Sequence, residues 1–424
     1  MTSGERVRAA LRRHEPDRVP IDFGSTTVSG VHVSCVAALR RYYELPEQPV
    51  RTFDTGAMLG EIDDDLKRIL GIDTEGVIKR MTRFGFPAEN WKTFRLDDGT
   101  EVLVPGGFNV TIDANGDTLM HPFGDVSLPP SARMPKNGFF FDSIIRQEPF
   151  DEDHLDPADN LEEYGLISEE ELDHLDTAAT RAAATGRAVI GNFGGTSFGD
   201  ISLVPGVSLP HPRGIRDVAE WYVSVKARPE FVRAVFEGQC EIALKNLERI
   251  YARVGDRIDV INVCGTDFGT QKSSFCSVNT FRDLWMPYYK QINSWVHHHT
   301  HWKTFKHSCG SVYDLIPDFI EDGFDILNPV QTSAAKMDPR TLKREFGADL
   351  VFWGGGVDTQ TTLPFGTPDD VYREVRERID IFNDGGGYVF GAIHNIQPNV
   401  PLPNLLAMFA AIRDSWADAA IQGR

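Results

Sequence analysis

The feature that most constrains the fold is a regular alternation of strand-like and helix-like segments in the second half of the chain. Short apolar, β-branched or aromatic runs predict strands at 188–193, 259–263, 303–306, 325–328, 350–353 and 387–390. Helical spacing of apolar residues predicts helices at 218–252 (with a break near Pro229), 279–299, 312–322, 339–346, 368–382 and 403–419. Repeated strand–helix units of this size predict a parallel sheet covered by helices.

Two folds are built this way, a doubly wound sheet and a (β/α)₈ barrel. No G-x-G-x-x-G follows a predicted strand and opens a helix, which argues against a dinucleotide-binding doubly wound sheet. The first half offers two more strands, a good one at 19–23 and a weaker one at 76–79. We therefore predict an α/β protein that forms a (β/α)₈ TIM barrel, with residues 1–424 as a single domain.

Residues 91–142 differ in texture from the rest of the chain. They contain the dipeptides Asp98-Gly99, Asn115-Gly116 and Asn137-Gly138, each flanked by alternating or β-rich residues, which is typical of hairpin turns. We interpret this region as an antiparallel β-hairpin insertion in the N-terminal half of the barrel that could serve as a lid over its mouth.

The charge is strongly negative, with a formal net value of −19. Residues 148–176 carry 13 acidic side chains and no Lys or Arg, a pattern that we interpret as a solvated loop and helix face rather than a docking site. Such a surface argues against nucleic-acid and anionic-membrane partners, since phosphates require basic residues. Five scattered cysteines, no secretory signal and no apolar run of about 18–20 residues favour a cytoplasmic location.

Polar residues follow each predicted strand, where the active site of a (β/α)₈ barrel lies. In chain order they are Asn192 and Ser197, Cys264 and Asp267, His307 and Cys309, Asn328 and Gln331, Asp358 and Gln360, and His394, Asn395 and Gln397. Their clustering after successive strands predicts that they share one site.

The sharpest local signal is His307-Ser-Cys309, because imidazole nitrogen and thiolate sulfur are ligands that zinc prefers. The third ligand must come from another strand end, and His394 is the best candidate, with Asp267 and Glu61 as weaker ones. The alternative is a buried structural cysteine beside a hydrogen-bonded histidine.

A second histidine cluster, comprising His297, His298, His299 and His301, could also suggest a metal site. It falls at the carboxyl end of a predicted helix, at the pole of the barrel away from the active site. Polar or cationic side chains suit the helix dipole there, so we interpret the cluster as structural.

Two glycine-containing segments also follow strands. Gly354-Gly355-Gly356 could let the backbone approach a ligand, or could simply form a tight turn between strand and helix. Asp267 could act as a general base or hydrogen-bond acceptor, or could close an Asx turn. The sequence leaves both alternatives open.

Several of these segments resemble the uroporphyrinogen decarboxylase superfamily, over most of the chain and best from residue 188 onward. PDRVP at 16–20 is similar to the segment before the first strand in the methyltransferase-like branch. HSCG at 307–310 resembles the H-x-C-G of methylcobalamin:thiol methyltransferases and related demethylases. GGGVD at 354–358 with GTP at 366–368, and GAIHNIQP at 391–398, resemble the later family segments.

The chain departs from the family pattern in two places. His394 stands where the thiol methyltransferases carry a third zinc-binding cysteine, so the metal would bear one less negative ligand and be a stronger Lewis acid. This weakens the case for a thiol substrate and suits an ether or amine. The arginine-rich R-Q-A-G-R motif of the decarboxylases is missing, which makes a polyanionic porphyrinogen a poor substrate.

The resemblance therefore implies a zinc-dependent methyltransferase of the corrinoid-dependent O-demethylase type. It would pass a methyl group from a small methylated substrate, such as a methoxylated aromatic, to a free or protein-bound corrinoid, and it would form a homodimer. We expect His307, Cys309 and His394 to bind zinc. Orientation of the substrate is expected from Asp267, Gln331 and Asp358, and further substrate binding from Asn192, Ser197, Asn328, Gln360, Asn395 and Gln397. The alternatives are a cofactor-free decarboxylase and a non-catalytic barrel that binds a corrinoid partner.

Overall fold

The structure is a computed structural model, in which the described residues are 1–196 and 198–421 without the side chain of Cys264. Its strands are β1 (Val50–Asp54), β2 (Leu59–Gly60), β3 (Thr74–Ile78), β4 (Lys92–Arg95), β5 (Glu101–Val104), β6 (Val110–Ile112), β7 (Thr118–Met120), β8 (Ala132–Met134), β9 (Asp142–Ser143), β10 (Ala188–Asn192), β11 (Val260–Cys264), β12 (Lys303–His307), β13 (Ile326–Asn328), β14 (Val351–Trp353) and β15 (Tyr388–Val389). Its α-helices are α1 (Ser3–Leu11), α2 (Val33–Tyr42), α3 (Asp64–Leu70), α4 (Glu169–Ala183), α5 (Val218–Ala227), α6 (Pro229–Val254), α7 (Val278–Leu284), α8 (Met286–His299), α9 (Ile316–Glu321), α10 (Pro339–Phe346), α11 (Thr362–Phe365), α12 (Pro368–Phe382) and α13 (Leu402–Ile421).

Seven strands form one parallel sheet in the order β15-β14-β13-β12-β11-β10-β3. Side chains alternate across it. The inner face carries an apolar cluster that includes Ile190, Val260, Phe305 and Trp353, and α1 adds side chains such as Val7 to this cluster. The outer face packs against the helices in the main core.

Residues 20–22 join the two edges of this sheet. The Asp22 N–H donates to the Phe390 carbonyl at 2.8 Å, the Phe390 N–H donates to the Pro20 carbonyl at 2.8 Å, and the Asp73 N–H donates to the Ile21 carbonyl at 3.0 Å. The sheet therefore curves into a TIM-like barrel. The strand predicted at 19–23 is reduced to a bridge between Ile21 and Phe390, since Pro20 has no N–H to donate.

The predicted strands from 188 onward lie within a residue or two of the observed ones. The helix predicted over 279–299 is divided at Trp285 into α7 and α8, because Pro287 in the first turn of α8 cannot continue the preceding helix. The helix predicted over 312–322 is reduced to a 3₁₀ turn (Tyr313–Leu315) followed by α9, which has Pro317 in its first turn.

The N-terminal half also contains two four-stranded sheets, ordered β2-β1-β5-β4 and β6-β7-β8-β9. The three predicted turns lie between antiparallel strand pairs, namely β4 with β5, β6 with β7 and β8 with β9. Gly99, Gly116 and Asn137 have positive φ, as such turns require.

Most carboxylates of the acidic segment 148–176 are exposed, and many of them also lie close to arginines of the same chain. Glu163 lies 2.8 Å from the buried Arg216, and Asp176 lies 2.6 Å from Arg257. Much of its charge is thus compensated within the molecule.

Among residues 1–196 and 198–421, no helix has both the length and the apolar character that a bilayer-spanning segment requires.

Candidate metal centre

The carboxyl ends of β12 and β15 bring His307, Cys309 and His394 together, and their ligand atoms all lie within 4.8 Å of one another. Cys309 Sγ is 3.5 Å from His307 Nε2, and the two imidazole centroids are 5.2 Å apart. Within the described parts of the chain, no other set of three His, Cys, Asp or Glu ligand atoms is grouped in this way.

The loops that carry these ligands have unusual backbone geometry. His394 has a φ of 70°, in the left-handed region that few residues other than glycine occupy. Asn395 supports this turn, since its Oδ1 accepts the Gly30 N–H at 2.7 Å and its Nδ2 donates to the Thr27 carbonyl at 2.9 Å. The position of His394 is therefore set by the loop that follows residue 23.

The tautomer of His307 follows from its neighbour Asn328. Asn328 Nδ2 donates to the Trp353 carbonyl at 2.9 Å, which fixes the orientation of the amide, and its Oδ1 accepts from His307 Nδ1 at 2.6 Å. The proton of neutral His307 therefore lies on Nδ1, and Nε2 keeps a lone pair directed toward Cys309. A metal-binding histidine usually donates its other ring N–H to a neighbouring acceptor in this way, which fixes the orientation of the ring.

Asp267 lies at the edge of the cluster. Its Oδ1 accepts the Cys309 N–H at 2.7 Å and is 3.7 Å from His307 Nε2, while 39% of its side chain remains exposed. The carboxylate thus fixes the loop of Cys309 and still faces the mouth of the barrel.

Burial sets the protonation of the three candidate ligands. It lowers the pKa of His307, and it lowers the pKa of His394 to about 4, with the charge of His307 acting in the same direction. Burial, and secondly the Asp267 carboxylate, raise the pKa of the Cys309 thiol well above its ordinary value. At neutral pH without a metal, both histidines are neutral and the thiol is protonated.

These donors fit zinc. Two imidazoles and one thiolate are among its preferred ligands, and three protein ligands leave the open position that a catalytic zinc needs. His394 Nδ1 accepts the Asn395 N–H at 2.8 Å, so a metal at Nε2 would require the ring proton to move to Nδ1. This changes the hydrogen bonding of His394 but not its net protonation.

Zinc affinity is therefore expected to rise about tenfold per pH unit between about pH 6 and 8. Over this range the raised pKa keeps the thiol protonated, so binding must release one proton from Cys309, while the neutral histidines release none. Competition with a chromophoric chelator, corrected for the protonation of the chelator itself, measures this slope. An affinity independent of pH would mean that Cys309 is not a ligand.

A cavity of about 330 Å³ opens beside Cys309 and His394. Gln331 and Gln360 line it, and Gln360 Oε1 accepts from Gln271 Nε2 at 2.9 Å. Gln331 Oε1 accepts the Gly310 N–H at 2.7 Å, which leaves its NH₂ group available. None of the described residues that line the cavity is a Lys, Arg, Asp or Glu.

Most of the other predicted site residues do not line this cavity. Asp358 does not line the cavity itself, but its Oδ1 accepts the N–H groups of Gln360 and Thr361 at 2.6 and 3.0 Å in an Asx turn. Asn328 contacts His307 instead of the cavity, and Asn395 holds the loop at 27–30. Asn192 and Gln397 do not line the cavity either, and Ser197 lies outside the described residues.

The weaker metal candidates have other contacts. His297 Nε2 lies 2.8 Å from Asp325 Oδ2, at the amino end of β13, which agrees with a structural role for the second histidine cluster. Glu61 is exposed and outside the ligand cluster, and its charged neighbours are residues such as Arg51 and Lys67.

The sequence interpretation overlooked Asn262, because it considered polar residues at or after the ends of the predicted strands. Asn262 lies within β11, two residues after Val260, whose side chain is in the inner cluster, so Asn262 also belongs to the inner face of the barrel. That alternation was the signal that could have identified it.

Comparison with known proteins agrees with this architecture. Residues 216–415 match the family model of uroporphyrinogen decarboxylase (URO-D). The resemblance to the uroporphyrinogen decarboxylase family is confirmed over these residues. The part that matches this family contains β11 to β15 and all three candidate ligands.

A solved structure, a methyltransferase from Methanosarcina mazei, has a similar fold with a TM-score of 0.53. The two chains are 16% identical over 98% of this chain and 99% of that one, so the similarity concerns the fold. No curated protein matches the sequence significantly.

Proposed function

We propose that this protein is a zinc-dependent methyltransferase that moves a methyl group from a small methylated substrate to the Co(I) of a corrinoid protein. The observation that carries the proposal is the compact His307, Cys309 and His394 set at the mouth of a barrel of the uroporphyrinogen decarboxylase family. The fold shared with a methyltransferase adds support.

In the proposed reaction, the bond between the methyl carbon and the oxygen, nitrogen or sulfur of the substrate breaks, and its electron pair stays on that heteroatom. The electron pair of Co(I) forms the new bond to carbon, and cobalt becomes Co(III). Zinc bound by the three ligands would supply a Lewis acid for the leaving heteroatom.

The remaining residues act on the substrate and on the ligands. Asn328 holds His307 in the tautomer that presents Nε2. Asp267 offers a half-exposed carboxylate beside the ligands, and Gln331 offers its NH₂ group to the cavity. We assign both residues to substrate orientation. The Asp358 carboxylate would act indirectly, by shaping the loop of Gln360.

Decarboxylation is the second candidate, because the family model describes uroporphyrinogen decarboxylase. A substrate with many carboxylates needs several cations, since unpaired charges in a cleft are costly. The cavity beside the ligands has no Lys or Arg in its lining, which favours methyl transfer.

One experiment separates the two candidates. Zinc-loaded protein is incubated with reduced corrinoid and a panel of methoxylated aromatics, methylamines and methyl thioethers, and separately with uroporphyrinogen. We expect the absorption spectrum to change from Co(I) to methyl-Co(III) with at least one donor, and no release of carbon dioxide. Carbon dioxide release without any methylated cobalt would overturn the proposal.

A further inference from the structure

The exposure of inward side chains differs between the two sides of the barrel. At the carboxyl ends of β12 and β13, the inward side chains of His307 and Asn328 are 3% and 2% exposed. At the corresponding ends of β3 and β10, Ile78 and Asn192 are half-buried. Asn262 is also half-buried, although it pairs in register with Phe305, one layer deeper than His307. The half-buried side of the inner face therefore extends down to Asn262.

Three neighbouring strands form this half-buried side of the inner face. Asn192 pairs with Ile78, and the register of β10 with β11 (Ile190 with Val260) places Asn192 beside Asn262. Neighbouring strands are about 4.8 Å apart, so the two amides are adjacent on one wall. The apolar layer below them includes Ile190 and Val260, both fully buried.

The amide of Asn262 has no hydrogen-bond partner among the described residues. Its Oδ1 is buried and accepts nothing. Asn192 makes one long contact, from Nδ2 to Thr27 Oγ1 at 3.4 Å. In contrast, both ends of the Asn328 and Asn395 amides are hydrogen-bonded. A buried acceptor without a donor is costly, so a molecule that donates a hydrogen bond to Asn262 would be stabilised at this position.

The wall is also uncharged. Lys79 is the residue that follows β3, and Glu171 and then Asp54 are its strongest charged neighbours. Two described carboxylates, Asp267 and Asp200, reach His307 with their charge and would repel an anionic ligand. The cation that also reaches His307, Lys306, lies over the rings of Phe268 and Tyr289 in the outer core. A neutral hydroxyl or N–H group therefore fits Asn262 better than a carboxylate.

We propose that Asn262, assisted by Asn192, binds a neutral hydrogen-bond donor at the non-reacting end of the substrate. The substrate would then be a small molecule with an apolar body, a methylated heteroatom at one end and a hydroxyl or N–H group at the other. The Cα atoms of Asn262 and His307 are about 8 Å apart, as expected from the spacing of strands and of residues along a strand. One aromatic ring is therefore long enough to span the two side chains. The identity of the reacting end rests on the proposed function, but binding of the donor does not.

Equilibrium binding to zinc-loaded protein tests this subsite with two probes, para-methoxyphenol and para-dimethoxybenzene, which lacks the donor. In the unmodified protein we expect the phenol to bind about tenfold more tightly or better, because a site built to pair a hydroxyl discriminates against its absence. Asn262→Leu should bring the two affinities within about twofold. Asn262→Asp, which keeps an acceptor oxygen and the side-chain size, should retain the preference.

Asn279→Leu, at an exposed position of α7, is the matched control and should leave both affinities unchanged. Circular dichroism checks folding, and Asn262→Ala replaces Asn262→Leu if the latter does not fold. Equal affinity for the two probes, or a preference that survives in the apolar variant, would overturn the subsite. A preference without methyl transfer to cobalt would instead count against the proposed function and leave the subsite standing.

Discussion

Replacing Cys309 by serine is expected to weaken zinc binding by at least about a hundredfold and to abolish methyl transfer. Serine is a poor zinc ligand, and two histidines alone do not complete a site of three protein ligands. The fold should persist, because Cys309 follows β12 in the loop and is not part of the apolar core. Elemental analysis, chelator competition and thermal unfolding measure the three effects.

Cys276→Ser is the matched control for this variant. Cys276 is also a half-buried free cysteine, but it does not belong to the ligand set, so its variant should keep both zinc and activity. If Cys309→Ser unfolds the protein and retains the metal, Cys309 is a structural residue and the proposed centre is wrong.

The largest expected change in stability concerns Asp322, which caps α9 at its carboxyl end. Burial raises the pKa of its carboxyl group to about 8, and neither of its oxygens has a hydrogen-bond partner among the described residues. In the unfolded chain this pKa is about 3.9. Between these values the folded protein holds a proton that the unfolded chain has lost, so the free energy of unfolding falls as pH rises toward 8.

Asp322→Asn removes this dependence, since the amide stays neutral at every pH. At about pH 9 the variant should be more stable than the parent protein by roughly 3–5 kcal/mol, and near pH 4 the two should be nearly equal. Urea unfolding at several pH values measures the difference, and Asp349→Asn, at an exposed position, is the control. A difference that does not change with pH would show that Asp322 is ionised in the folded state.

Much of the fold followed from periodicity. Prolines at the start of α10 and α12 marked the first turn of each helix, and both helices have the predicted bounds. The grouping of His307, Cys309 and His394 was predictable because the carboxyl ends of parallel strands meet at one edge. What could not be predicted is how side chains pair across the barrel.

Asn328 and Asn262 illustrate this limit. Both are asparagines on inward positions of barrel strands, yet Asn328 is fixed between His307 and Trp353 and Asn262 has no described partner. The local sequence does not show which of the two asparagines is hydrogen-bonded, because that depends on which residues of other strands lie next to each side chain. The ion pairs of the acidic segment escaped prediction for the same reason, since the arginines that it meets lie roughly 50–80 residues further along the chain.

His307 and Cys309 belong to the end of β12, whereas His394 follows β15, and two other strands lie between them. A metal held by all three would bind the folded barrel and not the unfolded chain, so it would lower the unfolded fraction. In a cell, that fraction is the form that proteases remove. The supply of zinc would then determine how many molecules of the protein persist, and starvation for the metal would reduce its abundance as well as its activity.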